Sequence, residues 1–542
     1  MSSLPTEPVA NSLTSTSSDS AIEKKNEDIE LLASDGQVLE EDVDRLELSR
    51  IKSGAVDMDL DEQLEELQRG MSRIDSVSPN VVGWDGSDDP ENPFNFTKKK
   101  KWYITMVTAL ATFCVAFASS VFTAGIRDIA AEFQVKTLVA TLGLTLYVVG
   151  FALGPLVFAP LSEVYGRNIV YITTWIPFML FQIGAALAPN IATLLVSRLI
   201  SGIAGSSPVS NAAGTLGDIW VPAERGNAMS FFTLAPFMGP ILGPIIGGFL
   251  SQYVSWRWTF WLCLIFSGTM FCFMLTIPET FGPTLLERKA AKLRKETGNQ
   301  DLHAAHERSG MSHVARFRNS IIRPVHMLFT ESIVFLISLY CALVYAILYM
   351  NFIAYPVVYQ RERGWGTGIG GLPFLAIGIG MIAAVMTSPA QTRLYIRISE
   401  EKGNGKIYPE ARLPYSMIGA FCLPISLFWF GWASLPHVHW IASVLAGIPF
   451  GFGMVTLFLC MFSYLVDSYL MYAASALAAN TLLRSMFGAF FPLFASTMYV
   501  RLTPRWASTL VGFLALIMAP IPFLFWKFGP AIRARSKTSR GL

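Results

Sequence analysis

Two arginines stand in stretches otherwise too apolar to carry charge: Arg198 in the run 191–213, and Arg484 in the run 473–498, four residues after Asn480. A charge inside lipid is expensive unless it faces a bundle interior, a cavity or a partner, so each is a candidate for ligand or proton-coupling chemistry. Four residues is about one helical turn, which puts Asn480 and Arg484 on one face. Each arginine also admits a plainer reading, a guanidinium satisfied by backbone carbonyls for packing alone. Residues 159–167 read APLSEVYGR. Glu163, Gly166 and Arg167 there supply a carboxylate, a tight turn and a guanidinium at a helix end, the parts of a charge-assisted latch; the bland alternative is a short polar turn. Residues 239–248 read GPILGPIIGG. Gly239, Gly243 and Gly247 recur every four positions and make a flat face for close helix packing, with Gly248 beside them. Pro240 and Pro244 each remove a helical hydrogen bond, so a bend is expected. Such a contact suits an interface that rocks, and equally an ordinary packing face. Tyr345, Tyr349 and Phe352 fall at i, i+4 and i+7, an aromatic stripe able to stack planar ligands or simply to fill a core.

Other chemistry is missing. Proton coupling usually needs a carboxylate or histidine that titrates within the membrane, and no apolar run carries one at mid-depth. Asp128 and Glu132 follow the first run; Glu163, Asp218, Glu279 and Asp467 sit at run ends; the six histidines lie in polar connections. There is no phosphate-binding loop, metal-ligand cluster or activated nucleophile, so neither an enzyme nor a cofactor is expected. Without carboxylates in the runs, strongly cationic substrates are disfavoured.

The elements that must hold these residues follow from composition. Of 542 residues, 52% are hydrophobic and 15% charged, against about 25% charged in a soluble domain; mean hydropathy is +0.45. Runs of roughly 20 apolar residues, enough to cross a bilayer, recur near 102–124, 138–159, 169–188, 191–213, 227–250 and 258–277. Six more lie near 332–354, 369–389, 414–433, 439–462, 473–498 and 508–528. The reading is an all-α integral membrane protein, twelve transmembrane helices in two pseudo-symmetric six-helix bundles. Expected boundaries are a disordered acidic tail over 1–100, a first bundle over 101–282, a basic central loop over 283–331, a second bundle over 332–528 and a basic tail over 529–542.

Charge is divided just as unevenly. Residues 1–97 hold 23 of the 39 acids and 7 of the 41 bases, leaving 16 acids against 34 bases for the remainder. Those bases crowd into alternate short connections, so both termini should be cytosolic, and they mark topology rather than nucleic-acid binding. The sequon at Asn95 would face the cytosol unglycosylated. All six cysteines fall in apolar runs and act as small hydrophobes. No secretory leader opens the chain, so the first apolar helix should target it to the membrane.

The two motifs above, in order with residues 198–205 (RLISGIAG), resemble the major facilitator superfamily over roughly residues 84–530. Residues 256–261 (WRWTFW), 278–280 (PET), 467–469 (DSY) and 478–480 (AAN) narrow the resemblance to the fungal drug:H+ antiporter group with twelve spans. Two departures are Ala159 and Glu163, where the pattern has Gly and Asp, and the matching stretch of the second half, 393–402, lacks the Gly-Arg pattern; that half need not latch the same way. The resemblance implies efflux of a small organic substrate in exchange for protons, by a monomer in the lipid bilayer of the plasma membrane. It gives Arg198 a cavity-facing, proton-linked role. It implies a cavity lined by spans 1, 4, 7 and 10, where Asn211, Tyr345, Tyr349, Asn351 and Tyr464 are candidates. The rivals are a proton-coupled importer of a nutrient or polyamine on the same fold, and a membrane sensor that transports nothing.

Overall fold

The computed structural model describes residues 80–86, 88–304, 307, 313–402, 408–469 and 472–536; the acidic tail up to residue 79 lies outside them. Among the described residues the chain is helical, and its one β contact is an isolated bridge between Val81 and His303. Span 1 is Lys98–Ser120, prolonged by a 3-10 turn Val121–Gly125 and the short helix Ile126–Glu132. Span 2 is Thr137–Tyr165, span 3 Arg167–Ala186, span 4 Ile191–Gly205 continued as Ser207–Ile219, span 5 Pro222–Tyr253 and span 6 Arg257–Met274. Span 7 is Ser332–Tyr355, span 8 Phe374–Met386 continued as Ser388–Lys402, span 9 Leu413–Ala433 and span 10 Trp440–Leu445 continued as Gly447–Tyr469.

The last two crossings are fused in one helical run, Ala473–Met518, followed by Ile521–Arg535. Among the described residues eleven stretches are long and apolar enough to cross a membrane, and the last of them has 62 residues. That length would reach about 90 Å as a straight helix, three times a hydrocarbon core of about 30 Å. The chain instead turns back at Thr503, which precedes Pro504 and has φ 66° and ψ 156°. The proof is a contact: the Tyr499 hydroxyl lies 3.1 Å from Ser508 Oγ, whereas nine residues of straight helix would hold them about 13 Å apart. Span 11 ends and span 12 begins at this reversal, so the expected twelve crossings are present.

Spans 1 and 7 occupy the centre. In each, 83% of the apolar stretch is buried inside the protein, against 33% for span 6. The central polar stretch is itself partly helical, with Gly282–Thr297 and His313–Thr330 leading into span 7. The tail expected to stay unstructured to residue 97 gains structure from residue 80. Val82 N–H donates to His303 O at 2.9 Å and His303 N–H to Asn80 O at 2.9 Å, while Lys289 Nζ meets Asp85 Oδ1 at 2.9 Å and Asp89 Oδ2 at 3.2 Å. Burial pushes the Asp89 carboxyl up, but the backbone N–H groups of Asp85 and Glu91 and the Lys289 ammonium outweigh it and hold it below its usual value. The partners come from two hundred residues away, so tail composition could not reveal this clasp.

Candidate functional site

Arg198 is fully buried in span 4. Its Nε donates to Gly143 O of span 2 at 3.0 Å, its Nη1 to Ala118 O at 2.8 Å and its Nη2 to Ser119 O at 3.1 Å. Ala118 and Ser119 belong to the last turn of span 1, where the α-helix passes into 3-10. Carbonyls at a helix C-terminus lack intrahelical partners and carry partial negative charge, so a guanidinium is their natural cap. The Tyr147 ring at 4.1 Å and the Phe122 ring at 4.9 Å cover the cation. Three backbone carbonyls thus hold the guanidinium, and Arg198 clamps spans 1, 2 and 4 together.

Ser119 also reaches the other bundle. Its Oγ lies 3.0 Å from the Tyr349 hydroxyl, and Tyr345 donates to Tyr349 at 3.3 Å. Tyr345 in turn lies under Arg484, 4.8 Å from ring centroid to guanidinium, with Phe458 and Phe462 of span 10 at 5.6 and 5.7 Å. Spans 7 and 11 thus face each other in register: Cys341 beside Asn480, Tyr345 beside Arg484, and both tyrosines beside Gly488. A Cβ at Gly488 would come within 2.8 Å of Tyr345 Cδ1, so only glycine lets the rings lie flat on span 11. Two further contacts join the bundles here: Phe237 of span 5 packs on Phe458 at 5.3 Å, and Thr145 Oγ1 donates to Ala489 O at 2.8 Å. The aromatic stripe therefore lies where the bundles meet. Asn351 is buried further along span 7.

Two of the other cavity candidates lie elsewhere. Asn211 Oδ1 accepts from Ser162 Oγ at 3.0 Å and its Nδ2 donates to Ser207 Oγ, inside the first bundle. Tyr464 packs against Phe525 and flanks Gly529 together with Glu410, inside the second. Residue type alone could not separate these orientations.

The latch at residues 159–167 draws in carboxylates from outside the motif, Glu279 and Asp218. Gly166 has φ 96°, and a Cβ there would strike the Glu279 carboxylate. Its absence lets Glu279 accept from the backbone N–H of Arg167 at 2.8 Å and of Asn168 at 3.2 Å, an anion seated on the N-terminus of span 3. Arg167 Nε pairs with Asp218 Oδ2 at 3.1 Å and Nη1 donates to Ser162 Oγ at 2.7 Å. Glu163, the motif's own carboxylate, is exposed on the outward face of span 2. Spans 2, 3, 4 and the segment after span 6 are thereby tied together.

The second bundle repeats this without the motif. Arg412, before span 9, donates to Asp467 of span 10 at 2.9 Å, at a sequence separation of 55 against 51 for Arg167 and Asp218. The remaining contact has its polarity exchanged: Arg533 of span 12 holds the fully buried Glu410 through Nε at 2.8 Å and Nη2 at 2.9 Å. Glu410, Arg412 and Arg533 escape motif searching, but an Arg heading the third span of each half and an Asp some fifty residues on was a findable symmetry.

The glycine stripe also divides. Gly239, Gly243 and Gly247 press on residues 116–121 of span 1, where a Cβ at Gly239 would lie 2.6 Å from Phe117 N and those at Gly243 and Gly247 would overlap Ser120 and Val121. That is packing within the first bundle. Span 5 continues through Pro240 and Pro244 as one helix. The cross-bundle contact falls to neighbouring positions. A Cβ at Gly248 would lie 2.6 Å from Thr367 O, one at Gly371 would lie 2.7 Å from Pro244 O, and Gly368 N–H donates to Gln252 Oε1 at 2.8 Å. At the same far end Glu132 accepts from Trp256 Nε1 and Arg257 Nη2, both at 2.6 Å.

Two helical bundles that meet through rings, glycines and a few hydroxyls, each locked separately at its other end, define a membrane transporter of the two-bundle type. The chain belongs to the Major Facilitator Superfamily, whose sequence profile matches residues 108–492. It is 48% identical over 465 residues to the MFS-type efflux pump MFS2 of Trichophyton rubrum, covering 85% of this chain and 78% of that protein. It is 47% identical over 459 residues to the Major facilitator superfamily multidrug transporter mdrA of Aspergillus fumigatus, covering 84% and 75%. In fold it is similar to the inward open xylose transporter XylE from E. coli, with TM-score 0.57, 16% identity and coverage of 78% and 96%. It is likewise similar to a POT family transporter, with TM-score 0.58, 13% identity and coverage of 82% and 98%.

Proposed function

We propose that this chain exports small organic molecules by alternating access, in exchange for protons. The observation that carries the reading is the division of contacts. The bundles touch in mid-span through Ser119 and Tyr349, Phe237 and Phe458, and Thr145 and Ala489, and at the ends of spans 5 and 8 remote from the chain termini through Gly248, Gln252, Gly368 and Gly371, while the ion-pair latches of the near ends each lie within one bundle. Halves built this way can part at either end without opening a latch core. The relatives named an efflux pump and a multidrug transporter support the outward direction. Twelve crossings return the chain to its starting side, and the basic connections on that side favour cytosolic termini; a monomer in the plasma membrane completes the proposal. The test is a strain lacking the protein, challenged with a panel of toxic small molecules, together with proteoliposomes under an imposed pH gradient. An exporter mutant accumulates cargo, and vesicles move it only while the gradient lasts. Loss of uptake in the mutant would instead reveal an importer, and transport indifferent to the gradient would remove the proton.

A further inference from the structure

The two intramembrane arginines are satisfied very differently. Arg198 spends three donors on carbonyls. Arg484 is 8% exposed and forms no hydrogen bond among the described residues, its Nε being buried without a partner. Its neighbours are the rings of Tyr345, Phe458 and Phe462. Rings accept a cation on their faces but leave the guanidinium's five N–H donors largely unused. One turn away the fully buried Asn480 amide has no oxygen or nitrogen partner within hydrogen-bond distance, and the weakly bonding Cys341 thiol lies beside it. Buried donors without acceptors are costly, and a buried cation without an anion more so. This cluster also sits in the zone where the bundles touch, through Phe458 on Phe237 and through Tyr349 on Ser119.

We propose that Arg484 and Asn480 form the recognition end of the substrate site and that the cargo is an organic acid, a carboxylate on a flat aromatic or conjugated body. A planar carboxylate matches the guanidinium fork with two parallel charge-assisted hydrogen bonds. Asn480, about 6 Å away along the helix, serves a second polar group of the acid as donor or acceptor. Tyr345, Phe458 and Phe462 flank the flat body. A cationic cargo meets a like charge at this place and is excluded. Because Phe458 packs on Phe237 and Tyr345 bonds to Tyr349, whose hydroxyl meets Ser119, a cargo seated here bears on both halves at once. The inference rests on the exporter reading only in calling the ligand cargo; the acid site stands or falls by binding.

The full chain in lipid nanodiscs is titrated with a panel of aromatic carboxylates, each paired with its methyl ester, naphthoate and methyl naphthoate first, followed by tryptophan fluorescence and thermal unfolding at neutral pH. The acids bind on the order of tenfold or more tighter than their esters, as expected of a hydrogen-bonded charge pair. Arg484→Gln brings the acid down to the affinity of the ester, Arg484→Lys keeps part of the preference, and Asn480→Ala weakens those acids that carry a second polar group. Folding of each variant is checked by its elution profile and unfolding midpoint, and the lysine variant decides the matter if the glutamine variant misfolds. Equal binding of acid and ester, binding of neither, or a preference that survives both Arg484 substitutions overturns the proposal. No gradient is applied, so a negative result leaves export intact, and vesicles that fail to export leave the acid preference intact.

Discussion

Arg198 fills three carbonyls of two neighbouring helices, while Arg484 lies among rings with its donors unspent. The contrast yields a comparison of identical substitutions. A lysine at 198 has a single nitrogen that cannot span Gly143, Ala118 and Ser119 together, so Arg198→Lys should cost about 2–4 kcal/mol of stability. Arg484→Lys forfeits no hydrogen bond and should cost far less. Thermal unfolding of both variants in one detergent checks this; equal midpoints would mean that Arg198 is no clamp. A similar argument applies at Gly166, where φ is 96° and the Glu279 carboxylate fills the space of a Cβ. Gly166→Ala combines backbone strain with loss of the carboxylate's seat, together about 2–4 kcal/mol. If the carboxylate's displacement is a large share of that, Glu279→Gln in the alanine background should add much less than it costs alone, which a double-mutant cycle measures.

Among the elements, the latches make the sharpest case. Arg412 and Asp467 hold spans 9 and 10 as Arg167 and Asp218 hold spans 3 and 4. Arg412→Ala and Arg167→Ala should therefore slow efflux to a similar degree, and each strands a largely buried carboxylate at about 3 kcal/mol. Efflux rates normalised to membrane-inserted protein would decide it, and a silent Arg412→Ala would show that only the first latch matters. The clasp between residues 80–89 and the helix Gly282–Thr297 titrates in a defined direction. Asp89 is held below its unfolded value, so its contribution is complete above about pH 4 and fades as the pH falls through the lower folded value. Protection of the amides of residues 80–86, 88 and 89 from hydrogen exchange, taken relative to the intrinsic rate at each pH, should stay high between roughly pH 5 and 8 and drop at neutral pH in Asp89→Asn or Lys289→Glu. Unaltered exchange in both variants would mean that the backbone pairing with His303 suffices.

For the whole molecule, the contact remote from the termini should have to break during transport. A Cβ at Gly368 would lie 3.0 Å from Phe249 Cγ, which places cysteines at 249 and 368 within disulfide reach. In a background with the six native cysteines replaced, Phe249→Cys with Gly368→Cys should arrest export on oxidation and recover on reduction. Export that continues through the crosslink would put the moving interface elsewhere.

Hydropathy alone determined twelve crossings, their division around the polar stretch and the helices that carry each arginine, because lipid forces every spanning segment to be long, apolar and internally hydrogen-bonded. Even the reversal near Thr503 was legible in the polar break before residue 508. Rotation of a helix about its axis was not. Asn211, Tyr464 and Glu163 have the residue types of site groups but turn toward their own bundle or outward, and the spacing of Gly239, Gly243 and Gly247 did not say which neighbour they meet. Those answers, like the partners of Arg198 and the solitude of Arg484, depend on atoms tens of residues to more than a hundred residues apart in sequence, and only the packed fold brings them within the few ångströms over which hydrogen bonds and ion pairs act.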